Sequence, residues 1–133
     1  MGYCTLQDLI DRFSEQELLH LSPNEAGDAI APDKVTRAID DATGEINGYV
    51  AAGGYPVPLT PVPAIVVAYC ADIARYRLHT HAPDQVSKRY DDAIKFLRAV
   101  SSGQVELGVK EPEPSLGLVQ MQPGRQVFKG GGF

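Results

Sequence analysis

Tryptophan is absent, cysteine occurs only twice, and no apolar run approaches the roughly 20 residues that a bilayer-spanning helix requires. The most apolar stretch, Val62 to Ala71, is cut off by Asp72 and Arg75, so no membrane partner is expected. The first residues carry Asp8 and Asp11 where a signal peptide would be basic and then apolar, so no such peptide is expected either. Cys4 and Cys70 are isolated in sequence and lack metal-ligand spacing. They are expected to be reduced thiols, Cys70 inert within an apolar helix and Cys4 without a basic neighbour to activate it. Basic clusters are missing as well. A net charge of −5 argues against a protein that reads DNA sequence, because phosphate contacts need grouped Lys and Arg.

Catalytic and cofactor signatures are equally scarce. Gly130-Gly131-Gly132 has neither the Lys nor the Ser/Thr of a phosphate loop. Asn24 to Asp28 resembles a calcium loop only faintly, lacking alternating oxygen ligands and the distal glutamate. His79 and His81 have no third ligand nearby and fall where a helix should end, which suits histidines facing its negative pole. His20 stands alone. Adjacent acids such as Asp40-Asp41 and Asp91-Asp92 point about 100° apart on a helix and do not share one site. The expectation is therefore no enzyme, no metal and no cofactor.

What the chain does contain is helical periodicity punctuated by proline and glycine. Its 133 residues fit one domain with a modest core. Thr5 is positioned to cap a helix over Leu6 to Phe13, and Ser14 a second one, with Glu17 completing a capping box. A loop from Ser22 to Asp33 follows. Asp33 is expected to cap a long helix whose apolar stripe is Val35, Ile39, Ala42, Ile46 and Tyr49. Gly44 and Gly48 lie near that stripe and weaken the helix, a cost that close approach of another backbone would offset. Gly53-Gly54 then stop it.

Pro56, Pro58, Pro61 and Pro63 make a rigid corner, with Thr60 expected as N-cap and Pro61 at the first position of the next helix. That helix, to His79, is apolar nearly all round and should be the buried centre of a bundle. A last helix from Pro83 or Asp84 to Ser101 presents Val86, Tyr90, Ala93, Ile94, Leu97 and Val100 inward, with Gly103 ending it. On its outer face Lys88–Asp92 and Asp91–Lys95 are opposite charges one turn apart. The fold class is all-α: three to four packed helices plus a short N-terminal helical pair. Ile39, Ile46, Ile65, Tyr69, Ile73, Ile94 and Leu97 are the expected core.

After Gly103 proline and glycine become frequent and no helical period survives. The expected division is a helical domain over 1–103 and an extended C-terminal arm over 104–133. Val105-Glu106-Leu107 and Gln126-Val127-Phe128 each alternate enough to add a short strand to a partner's edge. Val105, Leu107, Val127, Phe128 and Phe133 are the candidate partner-binding residues, with Arg125 flanking them beside Lys129. Charge divides along the chain too. Residues 1–60 carry three basic against ten acidic side chains, and residues 61–133 carry nine against seven. Such a distribution suits head-to-tail contact or different partners above and below, and equally a solvated acidic helix face with no partner.

Five segments, in this order, resemble the Mu-like phage head–tail connector (adaptor or head-completion) family. They are Tyr3 to Phe13, Ala38 to Ala42 leading to Ile46-Asn47-Gly48-Tyr49, Tyr55 to Leu59, Asp72 to Tyr76, and Arg89 to Ile94. The resemblance runs over roughly residues 3 to 108. It implies a ring of about twelve copies, stacked under the portal of a tailed-phage capsid in the virion neck. Its partners would be copies of itself, the portal protein and a tail-completion or tail-terminator protein. DNA would pass through without sequence-specific binding, and Asp28, Asp33, Asp40, Asp41 and Glu45 are the candidates to line that channel. The rival reading is a helical regulatory or adaptor module that binds one protein through its C-terminal tail.

Overall fold

The structure, a computed structural model, describes residues 2–108, and among them the architecture is all-α. Five helices follow in order: α1 Leu6–Phe13, α2 Glu15–Leu21, α3 Pro32–Ala52, α4 Ala64–Leu78 and α5 Asp84–Ser101. Helices α3, α4 and α5 pack on one another as a three-helix bundle, and α1 lies across α3 and α4 with α2 beside it. None of these helices is long and apolar enough to cross a membrane.

Local chemistry explains most boundaries. Thr5 caps α1 with a full capping box: its hydroxyl accepts from the Asp8 N–H, and its own N–H donates to the Asp8 carboxylate. Ser14 caps α2 through the Glu17 N–H, but the box is not closed. The Ser14 N–H goes to the Ile10 carbonyl, and the Glu17 carboxylate is taken by Arg75. Helix α3 begins earlier than its expected cap. Ala31 is the N-cap, without a side-chain bond, and Pro32 occupies the first position, where its missing N–H costs nothing. Helix α4 begins later than expected. Thr60 caps nothing, its hydroxyl turning back to the Pro58 carbonyl, and the helix starts only after Pro63.

Helices α3 and α5 end alike. After α3, the Gly54 N–H reaches the Ala51 carbonyl and the Tyr55 N–H reaches that of Val50. After α5, Gly103 and Gln104 donate to Val100 and Ala99 in the same pattern. Gly54 and Gly103 hold the left-handed position that this terminus requires, at φ +94° and +82°. Gly53 is needed for a different reason. A β-carbon there would sit 2.6 Å from the Val100 carbonyl oxygen, so the two helix ends meet backbone to backbone. Gly44 and Gly48 instead face solvent with nothing within 4 Å of a built β-carbon, so no close backbone approach offsets their helix cost.

The core runs from Leu9 and Leu18 through Val35, Ile39, Ala42, Ile46 and Val50 to Val66, Cys70, Ile73, Ala74, Ala93, Ile94, Leu97 and Val100. Five of the expected core residues are there: Ile39, Ile46, Ile73, Ile94 and Leu97. Tyr69 is half-buried against Phe96, ring centroids 5.0 Å apart. Ile65 is 42% exposed on the outward side of the first turn of α4, whose next residue, Val66, turns inward and is buried. On α3 the stripe closes with Val50 buried, Tyr49 being only half-buried. Burial also continues past residue 103. Leu107 is in the core and Val105 packs against it, with no strand at either residue.

Truncating Ile73 to Ala should cost about 2–5 kcal/mol, whereas Ile65→Ala should change stability by less than about 0.5 kcal/mol. Gly44→Ala and Gly48→Ala should each add about 1 kcal/mol. Chemical denaturation checks all four, and equal losses at Ile65 and Ile73 would contradict this packing.

Candidate functional site

The corner between α3 and α4 presents the most constructed feature of the surface. Tyr55 and Leu59 are buried in it, while Val57 between them is 43% exposed. Its Val57–Pro58 and Thr60–Pro61 bonds are cis. The Tyr3 hydroxyl reaches in from the N-terminal segment, accepting from the Leu59 N–H at 2.8 Å and donating to the Asn47 side-chain oxygen of α3. From the other end of the domain, the Leu107 N–H donates to the Tyr55 hydroxyl at 3.1 Å. Residues 2–5 and 105–107 are thus both fastened to the corner.

The acidic candidates do not form one cluster. Asp33, Asp40 and Asp41 are exposed on α3, and at 100° per residue they fall on its outward face with Arg37 between them. Glu45 is turned away from that role. One carboxylate oxygen accepts from Arg77 at 2.7 Å and the other from the Tyr90 hydroxyl at 2.9 Å, locking α3 to α4 and α5. Burial and this bond to Glu45 push the Tyr90 hydroxyl up to about 12. Asp28 is exposed in the α2–α3 loop. Its carboxylate accepts from Asn24, whose own oxygen accepts the N–H groups of Gly27 and Asp28. That loop is a self-capped turn, and Asn24 spends its oxygen on backbone.

A second feature was not foreseen in the sequence. A groove of about 380 Å³ opens where α1 and α2 meet α4 and α5, lined by Arg12, Phe13, Glu17, Asp72, Arg75 and Arg89. Arg75 is fully engaged: its guanidinium makes two bonds to Glu17, at 2.6 and 3.0 Å, and lies 4.3 Å over the Phe13 ring. Asp72 has no such bond. Burial raises its carboxyl above the usual range, opposed by the nearby Arg89, Arg75 and Arg12 charges. Aspartate at the ninth position of α4, directly after an apolar run, was the available signal.

Other candidates resolve plainly. His79 is the C-cap of α4 and its Nδ1 lies 3.0 Å from the Arg75 carbonyl, while His81 is exposed beyond the helix. Lys88 and Asp92 approach to 3.8 Å, and Asp91 and Lys95 form no ion pair. Among the described residues no three His, Cys, Asp or Glu side chains converge as a metal site. Val105 and Leu107 are spent inside this chain's own fold, so neither is free to add a strand to a partner. Arg125, Val127, Phe128 and Phe133 lie outside the described residues.

By architecture the chain is a small all-α domain whose worked features are a pinned corner and charged outer faces. The comparisons give the particular case: the chain belongs to the family described as "Bacteriophage Mu, Gp36", whose model matches residues 3–122. The expected resemblance thus holds and extends beyond residue 108. The chain is 33% identical to "Gene product J" of Escherichia phage Mu, covering 96% of this chain and 94% of that protein. It is also 33% identical to the "Mu-like prophage FluMu protein gp36" of Haemophilus influenzae, over 86% of this chain and 81% of that one.

Because the Asp72 carboxyl is raised in the fold, its contribution favours folding below its unfolded value and is lost as pH climbs through the folded value. Asp72→Asn should therefore raise the melting temperature at pH 7. The gain should vanish below about pH 3.8, the ordinary aspartate value. Melts at the two pH values check this, and a lower melting temperature for the variant at pH 7 would refute it.

Proposed function

We propose that this phage protein is a structural component of the virion neck, a ring that joins the portal of a tailed-phage capsid to the tail, and not an enzyme. The observation that carries the reading is family membership over residues 3–122, nearly the whole chain. The structure supports it in kind. Heterologous contact between copies closes a ring only if the subunit keeps a fixed angle between its faces. The corner, fastened by Tyr3 and Tyr55 to both ends of the domain, is a means of keeping one.

In this reading Asp33, Asp40 and Asp41 line the DNA channel. An acidic wall repels phosphate, so DNA passes without adhering. Glu45 drops out of the lining, since Arg77 and Tyr90 hold its carboxylate within the subunit. Asp28, exposed in the α2–α3 loop with only the neutral Asn24 amide on its carboxylate, stays a candidate. The arm role narrows to residues after Gly108, where Phe128 and Phe133 remain the anchors for the portal or the tail-completion protein, and Arg125 the charge beside them.

The test is to mix the purified chain with portal-bearing capsids and image the vertex. A symmetric ring at the portal is the expected outcome, and one-to-one binding to a single protein would favour a regulatory module instead. Deleting residues 123–133 should leave the helical domain folded, since the described core ends at Leu107, yet weaken co-sedimentation with those capsids at least tenfold. Replacing Asp40 and Asp41 together with Lys should permit assembly but slow DNA ejection, read as dye release from triggered particles. Unchanged ejection kinetics would remove these residues from the channel.

A further inference from the structure

The two cysteines, 66 positions apart, meet in the core: Cys4 Sγ lies 3.3 Å from Cys70 Sγ, and both residues are buried and free. Forming a disulfide from this arrangement requires the sulfurs to close to about 2.05 Å. The chain can supply that movement on one side. Cys70 is fixed in the middle of α4, but Cys4 sits in the non-helical segment ahead of α1. We propose that Cys4 and Cys70 form a redox-modification site, a buried dithiol that takes a small-molecule disulfide as oxidant and closes to an intrachain disulfide tying the N-terminal segment to α4.

The surrounding bonds assign the roles. The Tyr3 N–H donates to Thr43 Oγ1 at 3.0 Å, which leaves the Thr43 hydroxyl proton free to turn toward Cys70 Sγ, 3.7 Å away. The Cys4 thiol donates to the same sulfur. With these donors around it, Cys70 is pushed down and is the first to ionise, while Cys4, as donor and buried, is pushed up. The Cys70 thiolate attacks one sulfur of the oxidant, forming a mixed disulfide and releasing one thiolate. Cys4 then gives its proton to solvent, and its sulfur displaces the second thiolate from Cys70. The protein loses two electrons and two protons, and the oxidant becomes two free thiols. Burial gates the first step, because residues 2–5 must lift before the oxidant can enter. The Tyr3 hydroxyl, bonded to Asn47 and Leu59, holds that gate.

The chemistry stands on the subunit alone; only its timing rests on the virion reading, in which a chain folded in a reducing cytoplasm later leaves it inside a particle. The test uses the purified full chain equilibrated with oxidised and reduced glutathione, without portal or capsid, so its failure leaves the ring proposal untouched. Both titratable thiols should disappear together, with a mass loss of about two hydrogens and a melting temperature raised by about 10 °C. Tyr3→Phe should speed the reaction several-fold and reach the same end product. A stable single-glutathione adduct, a disulfide-linked dimer, or an oxidised form that melts no higher than the reduced one would overturn the assignment.

Discussion

The corner between α3 and α4 contains four prolines and therefore lacks four backbone donors, so it cannot be held in place by a hydrogen-bond ladder of its own. Two tyrosine hydroxyls do that work from outside. Tyr3 and Tyr55 are each buried, and a buried phenol needs a partner for its hydroxyl. Each finds it in a main-chain N–H of a segment without regular structure: Leu59 for Tyr3, Leu107 for Tyr55. The rings supply apolar burial while the hydroxyls satisfy groups that would otherwise be orphaned. One contact brings the N-terminal segment onto the corner and the other brings in the residues after α5. The angle between the long helices thus depends on residues distant in sequence from the turn itself.

The apolar core and the polar periphery divide the labour differently. Core burial supplies the stabilising free energy, but leucine, isoleucine and valine packed at helical spacing tolerate sliding by a turn. Charged contacts around the rim remove that freedom. Arg75 of α4 grips Glu17 of α2 through two bonds and covers Phe13 of α1, a geometry a lysine could not reproduce. Glu45 of α3 reaches Arg77 of α4 and Tyr90 of α5, and the Tyr90 ring stacks on Tyr76 at 4.1 Å. Exposed ion pairs contribute little each. The Arg75–Glu17 and Tyr90–Glu45 contacts are partly buried, Arg77 is more exposed, and each set joins three helices, so their effect is on register more than on total stability.

The sequence revealed the five helices because the signals concerned are local. Thr5 with Asp8, the apolar spacing of α3 and α5, and glycines just past two helix ends are each legible within a few residues. What it concealed was every feature created by distant segments meeting. Asp33 and Thr60 looked like caps because their residue types are good caps, yet neighbouring prolines had already set where the helices start. Gly53 resembled an ordinary stop, and only the position of Val100 shows why no side chain fits there. Glu45 counted as one acid among five until Arg77 and Tyr90 closed on it. Cys4 and Cys70 were isolated in sequence and adjacent in the fold. Leu107 belonged by composition to the proline-rich end but by packing to the core.

Under the proposed function, the described surface also constrains how assembly can proceed. Stable interfaces need an apolar centre within a polar rim. Among the described residues the large exposed apolar side chains are Val57, within the corner, and Ile65, in the first turn of α4, and the outer face of α3 offers charges and bare glycines. Charged faces steer and orient partners, but they bring little affinity of their own. The sequence after Gly108 carries the apolar residues that the domain surface lacks: Leu116, Leu118, Val119, Met121, Val127, Phe128 and Phe133. The family match reaches residue 122 and so includes the first four of these. Under the proposed function the two parts are complementary. The helical domain fixes the angle at which copies present themselves, and the C-terminal residues provide the apolar contact that makes the attachment last.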